Sequence, residues 1–455
     1  MTTRNSIPDR VHMIGTGGAG MSGLAKLLSQ MGHAVTGSDV KPGRMLDSLS
    51  DVGVTTWVGH RPSDMADAQL VVISSAVPRT DAEVVAAVEG GIPVWERPAL
   101  LAALTQSTTT IGFAGTHGKT TSTALAVAAL RGLNLDPSFL VGGEMLRLNT
   151  GAHLGTDDLF VLEADEAFGT FRHLHLDGML VTNIEADHLD YYGTVSALED
   201  AFAQVAARME GPLVGCIDDA GVRRLDQRVP LISYGFSPNA QWRITGHHHV
   251  DGGQRFVLIG PDGEFDVVLP KPGAHLTLDA AGVLAFLGEL GYDARGASKA
   301  LEAFGGVRRR YEIRGKVGGI TIVDDYAHHP TEVAATIGAA AVGTDGRVIA
   351  VFQPHRYTRT ADLGPQFGEP LALADHIIVT DVYAAGERPI IGVSGRIVAS
   401  AAEASGATTS YIPQLSDIAG AVADLAEEGD TVLLLGAGDV TSVAQSIALA
   451  IQAKS

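Results

Sequence analysis

The sequence predicts an α/β protein of three domains, each a largely parallel sheet wrapped by helices. Three observations carry this. Short apolar runs of strand length recur along the 455 residues and alternate with longer stretches of helical character. Two of these runs open directly into a glycine turn followed by a helix, the arrangement in which α/β sheets hold phosphates. The length itself corresponds to about three cores at ~150 residues each.

In the first domain, expected over residues 1–107, strand-like runs fall at Val11–Ile14, Ala34–Gly37 and Leu70–Ile73. Gly15-Thr-Gly17-Gly18-Ala19-Gly20 follows the first of them and opens a helix through Leu28, with Asp39 at the end of the next strand. Free backbone amides at such a turn bind a diphosphate, which an NAD-type dinucleotide and a UDP-sugar both carry. The residues leave both open, with Asp39 and His60 near ribose and base if the ligand is a nucleotide sugar. A turn without a ligand is the plainer alternative.

The polar pentad Gln106–Thr110 interrupts this pattern as a linker, and a second domain is expected over 108–314. It starts with the run Ile111–Ala114 and the turn Gly115-Thr116-His117-Gly118-Lys119-Thr120-Thr121, then an apolar helix. Helix N-terminal amides, the Lys119 cation and the Thr120 hydroxyl make a site for ATP phosphates and magnesium. The first glycine of the strict phosphate-loop pattern is missing, because Phe113 stands there. Glu163 follows the run Leu159–Leu162, where its carboxylate suits magnesium, and His188 lies in the acidic loop after Gly178–Thr182. For His188 an ordinary hydrogen-bonded loop residue is the plainer reading. A helix is expected over Val195–Met209 and a strand at Arg255–Leu258, while His247-His248-His249 reads as a solvated loop.

The third domain, expected over 315–455, alternates the runs Ile320–Val323, Val348–Phe352, His376–Thr380 and Thr431–Leu435 with Ala-rich helices. Two strand-end loops carry Asp325, Tyr326, His328 and His329, and His355, Arg356 and Arg359. In an acidic chain this basic concentration reads as a carboxylate site, since arginine grips a carboxylate through two parallel hydrogen bonds.

Thirty-two basic against fifty-two acidic residues give a net charge of −20, which argues against a nucleic-acid or anionic-membrane partner. The single cysteine, Cys216, allows no intrachain disulfide and reads as a small buried residue. With neither a signal-peptide pattern nor ~18 consecutive apolar residues, the expected setting is the cytoplasm.

Taken together, the motifs resemble the ATP-dependent Mur ligases of peptidoglycan synthesis over nearly the whole length. GTHGKTTSTA is similar to that family's ATP loop, including its missing first glycine. IGTGGAGMSGLAKLL, SSAVP (74–78), DDYAHHPTEV (324–333), FQPHRYTRT (352–360), DVYAAGE (381–387) and GAGDV (436–440) resemble the branch that adds L-alanine to UDP-N-acetylmuramate. The tripeptide-adding branch of wall recycling shares the HHP element but matches FQPHRYTRT poorly, and an NAD-dependent oxidoreductase would leave the ATP loop idle.

The resemblance implies two Rossmann-like domains, the first for UDP and the last for the amino acid, around a central ATPase domain. It further implies a monomer or homodimer acting in wall synthesis, and so in cell shape and division, on UDP-N-acetylmuramate, L-alanine and ATP, with two Mg2+ ions for which Mn2+ can substitute. Gly15, Gly17, Gly18, Ala19, Gly20 and Ser22 would bind the diphosphate, with Asp39, His60 and Ser74 nearer the uridine. Gly115 to Thr121, His275, Arg310 and Asp325 would serve ATP. Thr120, Glu163 and His188 would hold metal, while Tyr326, His328, Arg356 and Arg359 would surround the alanine. Lys119, Glu163, His188, His328 and Arg356 would be the catalytic set. The sequence departs from the family where two asparagines of the adenine-contacting segment are Leu276 and Asp279, and after Glu166, where Ala167 and Phe168 replace a serine and an aspartate.

Overall fold

The computed structural model describes residues 7–65 and 67–454, so the opening residues 1–6 of the polar N-terminal stretch lie outside it. Three sheets organise the chain. The first contains β1 (Arg10–Ile14), β2 (Ala34–Asp39), β3 (Thr55–Val58), β4 (Leu70–Ile73) and β5 (Val94–Glu96). Its order is β3-β2-β1-β4-β5, with every pair parallel. The chain leaves β1 in one direction and returns beside it at β4, which creates a switch point at the carboxyl ends of those two strands.

The second sheet has ten strands: β6 (Thr110–Ala114), β7 (Ser138–Met145), β8 (Thr150–His153), β9 (Phe160–Glu163), β10 (Gly178–Val181), β11 (Leu213–Cys216), β12 (Ile232–Gly235), β13 (Trp242–Val250), β14 (Gly253–Gly260) and β15 (Gly263–Leu269). Their order is β15-β14-β13-β12-β11-β10-β6-β9-β7-β8. β6 thus sits between β9 and β10, parallel to both, and the loops at the carboxyl ends of all three meet. The helix Lys119–Gly132 after β6 is buried on nearly every side, which explains its lack of a polar face. Phe113 lies within β6 and meets Phe286 edge-on at 5.6 Å. The residue in place of the missing glycine is therefore core packing within the strand, one position before its end.

The third sheet contains β16 (Glu312–Val317), β17 (Ile320–Asp325), β18 (Val348–Phe352), β19 (His376–Val379), β20 (Thr409–Tyr411) and β21 (Thr431–Leu435), in the order β16-β17-β21-β18-β19-β20. Only β16 runs antiparallel to its neighbour. Apolar clusters fill both of its faces, one around Phe352 and Leu371, the other around Ile349 and Ile447.

These sheets pack as two compact units. The first runs to Gly246 and adds Phe256–Val268 and Leu278–Gly305; the second gathers His247–Arg255, Leu269–Thr277 and the chain from Gly306 onward. Within the first unit, Lys26 Nζ donates to Thr150 Oγ1 at 2.8 Å and Arg44 reaches both Glu144 oxygens at 3.0 Å, so the first sheet's layer is tied to β7 and β8. No helix among the described residues is long and apolar enough to cross a membrane.

Most strand expectations match within a residue; β2, β14 and β17 extend two residues beyond theirs, and other differences concern the helix after Thr194, Glu163 and the histidine run. The helix expected to reach Met209 ends at Ala206, ahead of the Gly211-Pro212 turn. Glu163 is the last residue of β9 rather than the first beyond it. His247, His248 and His249 lie in β13 and not in a loop, because Trp242 and Ile244 bury one face of that strand and its ladder extends past them to the turn into β14.

Candidate active site

At the first glycine turn, the Gly15 amide donates to Ser38 O at 2.8 Å, folding the turn back over β2. Asp39, expected near a ribose, accepts the Gly17 amide at 2.8 Å and the Lys41 amide at 3.1 Å, so its carboxylate sets the shape of the turn. Ser22 sits in the first helical turn, its hydroxyl donating to Ala19 O. Ser74 follows β4 on the other side of the switch point, and its amide bonds Ile14 O. His60 Nδ1 lies 3.2 Å from Asp81, which in turn caps the helix Ala82–Glu89. The sequence reading missed Arg97: its guanidinium lies over Gly20, and its buried Nε has no hydrogen-bond partner among the described residues. A cavity of about 610 Å³ runs from Ala19 and Ser22 to Val141, Gly143 and Glu144.

The ATP turn is clamped from β10. Gly115 has φ +129°, and a side chain there would collide with the Thr182 hydroxyl. Thr182 Oγ1 donates to His117 O at 2.5 Å, Asn183 Oδ1 accepts the His117 amide at 2.8 Å, and Asn183 O accepts the Thr116 amide at 3.1 Å. Both clamp residues were missed as well, although they belong to a loop already singled out. Lys119 Nζ bonds Gly115 O at 2.7 Å and both Glu166 oxygens at 2.8 and 2.9 Å, with Asp165 at 3.7 Å. Burial alone would lower its pKa, but the carboxylates of Glu166 and Asp165 outweigh that and hold it above the usual lysine range. Thr120 hydrogen-bonds Glu163, which also accepts the Gly142 amide; burial raises the Glu163 pKa. His188, in the left-handed region at φ +54°, turns Nε2 to within 3.9 Å of Glu166. His117 pairs with Glu185 at 3.3 Å. The buried Asp279 places its carboxylate against Gly118, so one of the two departures lies beside the ATP turn.

In the second unit, Asp325 accepts the Tyr311 and Ala327 amides at 2.7 and 2.8 Å, and burial pushes its pKa up to about 6 despite the nearby Arg310. Arg309 and Arg310 each stack on Tyr326, their guanidinium carbons 5.0 Å from its ring centre. His328 Nδ1 faces Tyr326 O at 3.0 Å and Glu332 at 3.3 Å, both acceptors, which assigns the proton to Nδ1 and the lone pair to Nε2. Burial lowers His328 to about 4, and likewise His275. His355 stacks on Tyr383 and has a buried Nδ1 without a hydrogen-bond partner among the described residues; burial, then His328 and Arg359, lower it to about 3. Arg356, at φ +68°, donates Nε to Glu387 at 2.6 Å, and Glu387 also accepts the amide and hydroxyl of Thr358. Glu387, the last residue of DVYAAGE, is a further residue that the sequence did not mark.

The expected residues thus form three constellations: the diphosphate turn and the ATP turn in the first unit, and the histidine and arginine cluster in the second. Turns rich in main-chain donors, a buried lysine and a carboxylate with a hydroxyl at one strand end suit phosphoryl transfer.

The sequence matches the Mur ligase family, catalytic domain, over residues 10–109, the Mur ligase middle domain over 113–287, and the Mur ligase, glutamate ligase domain over 309–438. It is 41% identical to a UDP-N-acetylmuramate–L-alanine ligase of Mycolicibacterium vanbaalenii, covering 98% of this chain and 97% of that one. The corresponding ligase of Rhodococcus jostii is 40% identical over the same shares. Among solved structures, UDP-N-acetylmuramate-alanine ligase from Thermotoga maritima aligns with a TM-score of 0.85 at 25% identity, covering 98% of this chain and all of that one. A murein peptide ligase from Psychrobacter arcticus aligns with 0.72, also at 25% identity, over 98% and 99%.

Proposed function

This chain belongs to the Mur ligase family, and from that premise we propose that it is the ATP-dependent ligase joining L-alanine to the lactyl carboxylate of UDP-N-acetylmuramate in the cytoplasm. The carrying observation is full-length likeness to relatives of that name at about 40% identity. The higher TM-score with the alanine ligase than with the murein peptide ligase supports the same choice.

A carboxylate cannot acylate an amine unaided, because its oxygen is a poor leaving group. In our reading the lactyl carboxylate attacks the γ-phosphorus of ATP, breaking its bond to ADP and forming an acyl phosphate. The neutral alanine amine then attacks the acyl carbon, and the tetrahedral intermediate expels phosphate. Gly115 to Thr121 hold the phosphates, and Lys119 exchanges its Glu166 contact for them. The Thr120 hydroxyl and Glu163 carboxylate form an oxygen donor pair fit for Mg2+, with His188 toward a second ion that Mn2+ would also suit; such ions offset charge on the phosphoryl group. By the family resemblance, Arg310, Asp325 and His275 are assigned to ATP. Arg356 and Arg359 take the alanine carboxylate beside Tyr326, and His328 Nε2 accepts the amine proton. Arg97 lies over the diphosphate turn that receives the UDP-sugar, with Gly15 to Gly20 and Ser22 on the phosphates and Asp39, His60 and Ser74 toward the uridine.

The test is phosphate release with UDP-N-acetylmuramate and ATP, comparing L-alanine with the L-alanyl-γ-D-glutamyl-diaminopimelate tripeptide. Release with alanine that Lys119→Ala abolishes is expected; preference for the tripeptide would overturn the reading.

A further inference from the structure

Glu83 has no part in the proposed reaction, and nothing in the sequence marks it. It stands second in the helix Ala82–Glu89, and its side chain is completely buried. A buried carboxylate is costly unless donors fill its oxygens, and a packed apolar side chain would avoid the cost. Here the neighbours come from β1, β2 and β3 alike. Oε2 accepts the Ser38 hydroxyl of β2 at 2.5 Å, and His12 Nε2 of β1 lies 3.6 Å from the same oxygen. Oε1 accepts the Trp57 indole N–H of β3 at 2.9 Å and the Arg61 amide beyond that strand at 2.8 Å. Burial alone would raise the Glu83 pKa, but the groups around it outweigh burial and hold it at about 2, so the carboxylate is ionised at neutral pH.

These contacts lead into both halves of the site assigned to the sugar nucleotide. Ser38 O accepts the Gly15 amide at 2.8 Å, the Thr16 amide at 3.0 Å and the Thr16 hydroxyl at 3.1 Å. The residue that Glu83 grips is thus the one on which the diphosphate turn rests. Arg61, gripped by the other oxygen, directly follows His60, whose ring pairs with Asp81. Asp81 in turn accepts the Glu83 amide at 2.9 Å. Two carboxylates at the start of one helix therefore hold the turn through β2 and the His60 segment through its main chain and its ring.

We propose that Glu83 is a positioning residue for the sugar nucleotide: through Ser38 it sets the main chain of the diphosphate turn, and through Trp57 and Arg61 the segment that carries His60. It touches no substrate, and its role rests on the assignment of that turn to the UDP-sugar. A carboxylate suits the task because its two oxygens accept three donors at once, whereas an amide offers one oxygen and turns an NH2 toward the remaining donors.

Glu83→Gln tests this by titration calorimetry with UDP-N-acetylmuramate and with UDP, in the absence of ATP. Both Kd values should rise about ten-fold, and the KM for UDP-N-acetylmuramate with them, while kcat and the KM for ATP stay within about two-fold. Ser38→Ala should raise the same Kd values about three-fold or more but add little in the Glu83→Gln background, because residues that act through one contact are not additive. Leu70→Ala opens a cavity at the amino end of β4 and reports what lost stability does by itself: a lower thermal midpoint with unchanged Kd. Unchanged Kd values in Glu83→Gln, additive losses in the double variant, or an equal rise in Leu70→Ala would overturn the proposal. Should Glu83→Gln not fold, an unchanged Kd in Ser38→Ala overturns it alone. If the unsubstituted protein binds neither nucleotide, the ligase reading falls and this role falls with it.

Discussion

At the scale of single residues, the side chains that do the gripping could be read from the sequence, and those that hold them in place could not. Arg356 was legible because a basic pair after a strand in an acidic chain has few other uses. Its holder, Glu387, lies 31 positions away, and only the fold brings the two together. One nitrogen of the guanidinium is committed to that carboxylate, which leaves the other edge of the fork for an amino-acid carboxylate. We expect Glu387→Gln to raise the KM for alanine about ten-fold or more, since a charged hydrogen bond of ~1.5–3 kcal/mol is lost, with the KM for ATP unchanged. Steady-state kinetics with each substrate varied would show this, and a lowered KM for alanine would mean that Glu387 competes with the substrate. Gly17 poses a steric question. A methyl group there would sit 2.7 Å from Asp39 Oδ2, so Gly17→Ala should displace that carboxylate and raise the KM for UDP-N-acetylmuramate alone. An unchanged value would remove the turn from the sugar-nucleotide site.

At the scale of elements, strand ends were legible to within one or two residues where an apolar run met glycine or a charged residue, as β2, β9 and β17 run one or two residues further. Legibility failed where composition hid the pattern, as for the histidines that finish β13. The clamp on the ATP turn was hidden for another reason: Thr182 and Asn183 touch it only because β10 lies beside β6, and strand order is not written in local sequence. Strand ends, and the first turn of the helix Ala274–Glu289, also concentrate the titratable groups of the second unit. His275, His328 and His355 fall to about 4, 4 and 3 from an ordinary 6.5, each chiefly through burial. Between about pH 6.5 and 4 the unfolded chain takes up protons at these rings that the folded chain does not, so the folded state loses stability as pH falls through that window. Asp325 has the opposite sign: raised to about 6 from 3.8, it contributes stability in acid that is lost as pH rises through 6. Three rings against one carboxyl leave a net loss on acidification. The thermal midpoint of the second unit should fall between pH 7 and 5, and by a smaller amount in the His328→Gln, His355→Gln double variant; equal falls in the two proteins would refute the burial argument.

At the scale of the whole molecule, a chain of net charge −20 is assigned three anionic or zwitterionic substrates, which makes local arrangement the deciding factor. That arrangement is divided. The diphosphate and ATP turns belong to one compact unit, and the arginine and histidine cluster to the other, each unit with its own buried core. Proteins built this way unfold as separable cooperative blocks more often than in one step. A ligand that binds only folded protein stabilises the block that holds it, by about 2.7 kcal/mol at a hundred times its Kd. UDP-N-acetylmuramate is assigned wholly to the first unit. Added alone, it should raise one calorimetric transition by several degrees and leave the other in place, and Gly17→Ala should erase that rise without moving either transition of the free protein by as much. If both transitions rise together, or only one is seen under all conditions, then the units unfold as a single block, and the sugar nucleotide reports on the whole chain rather than on the half that carries its turn.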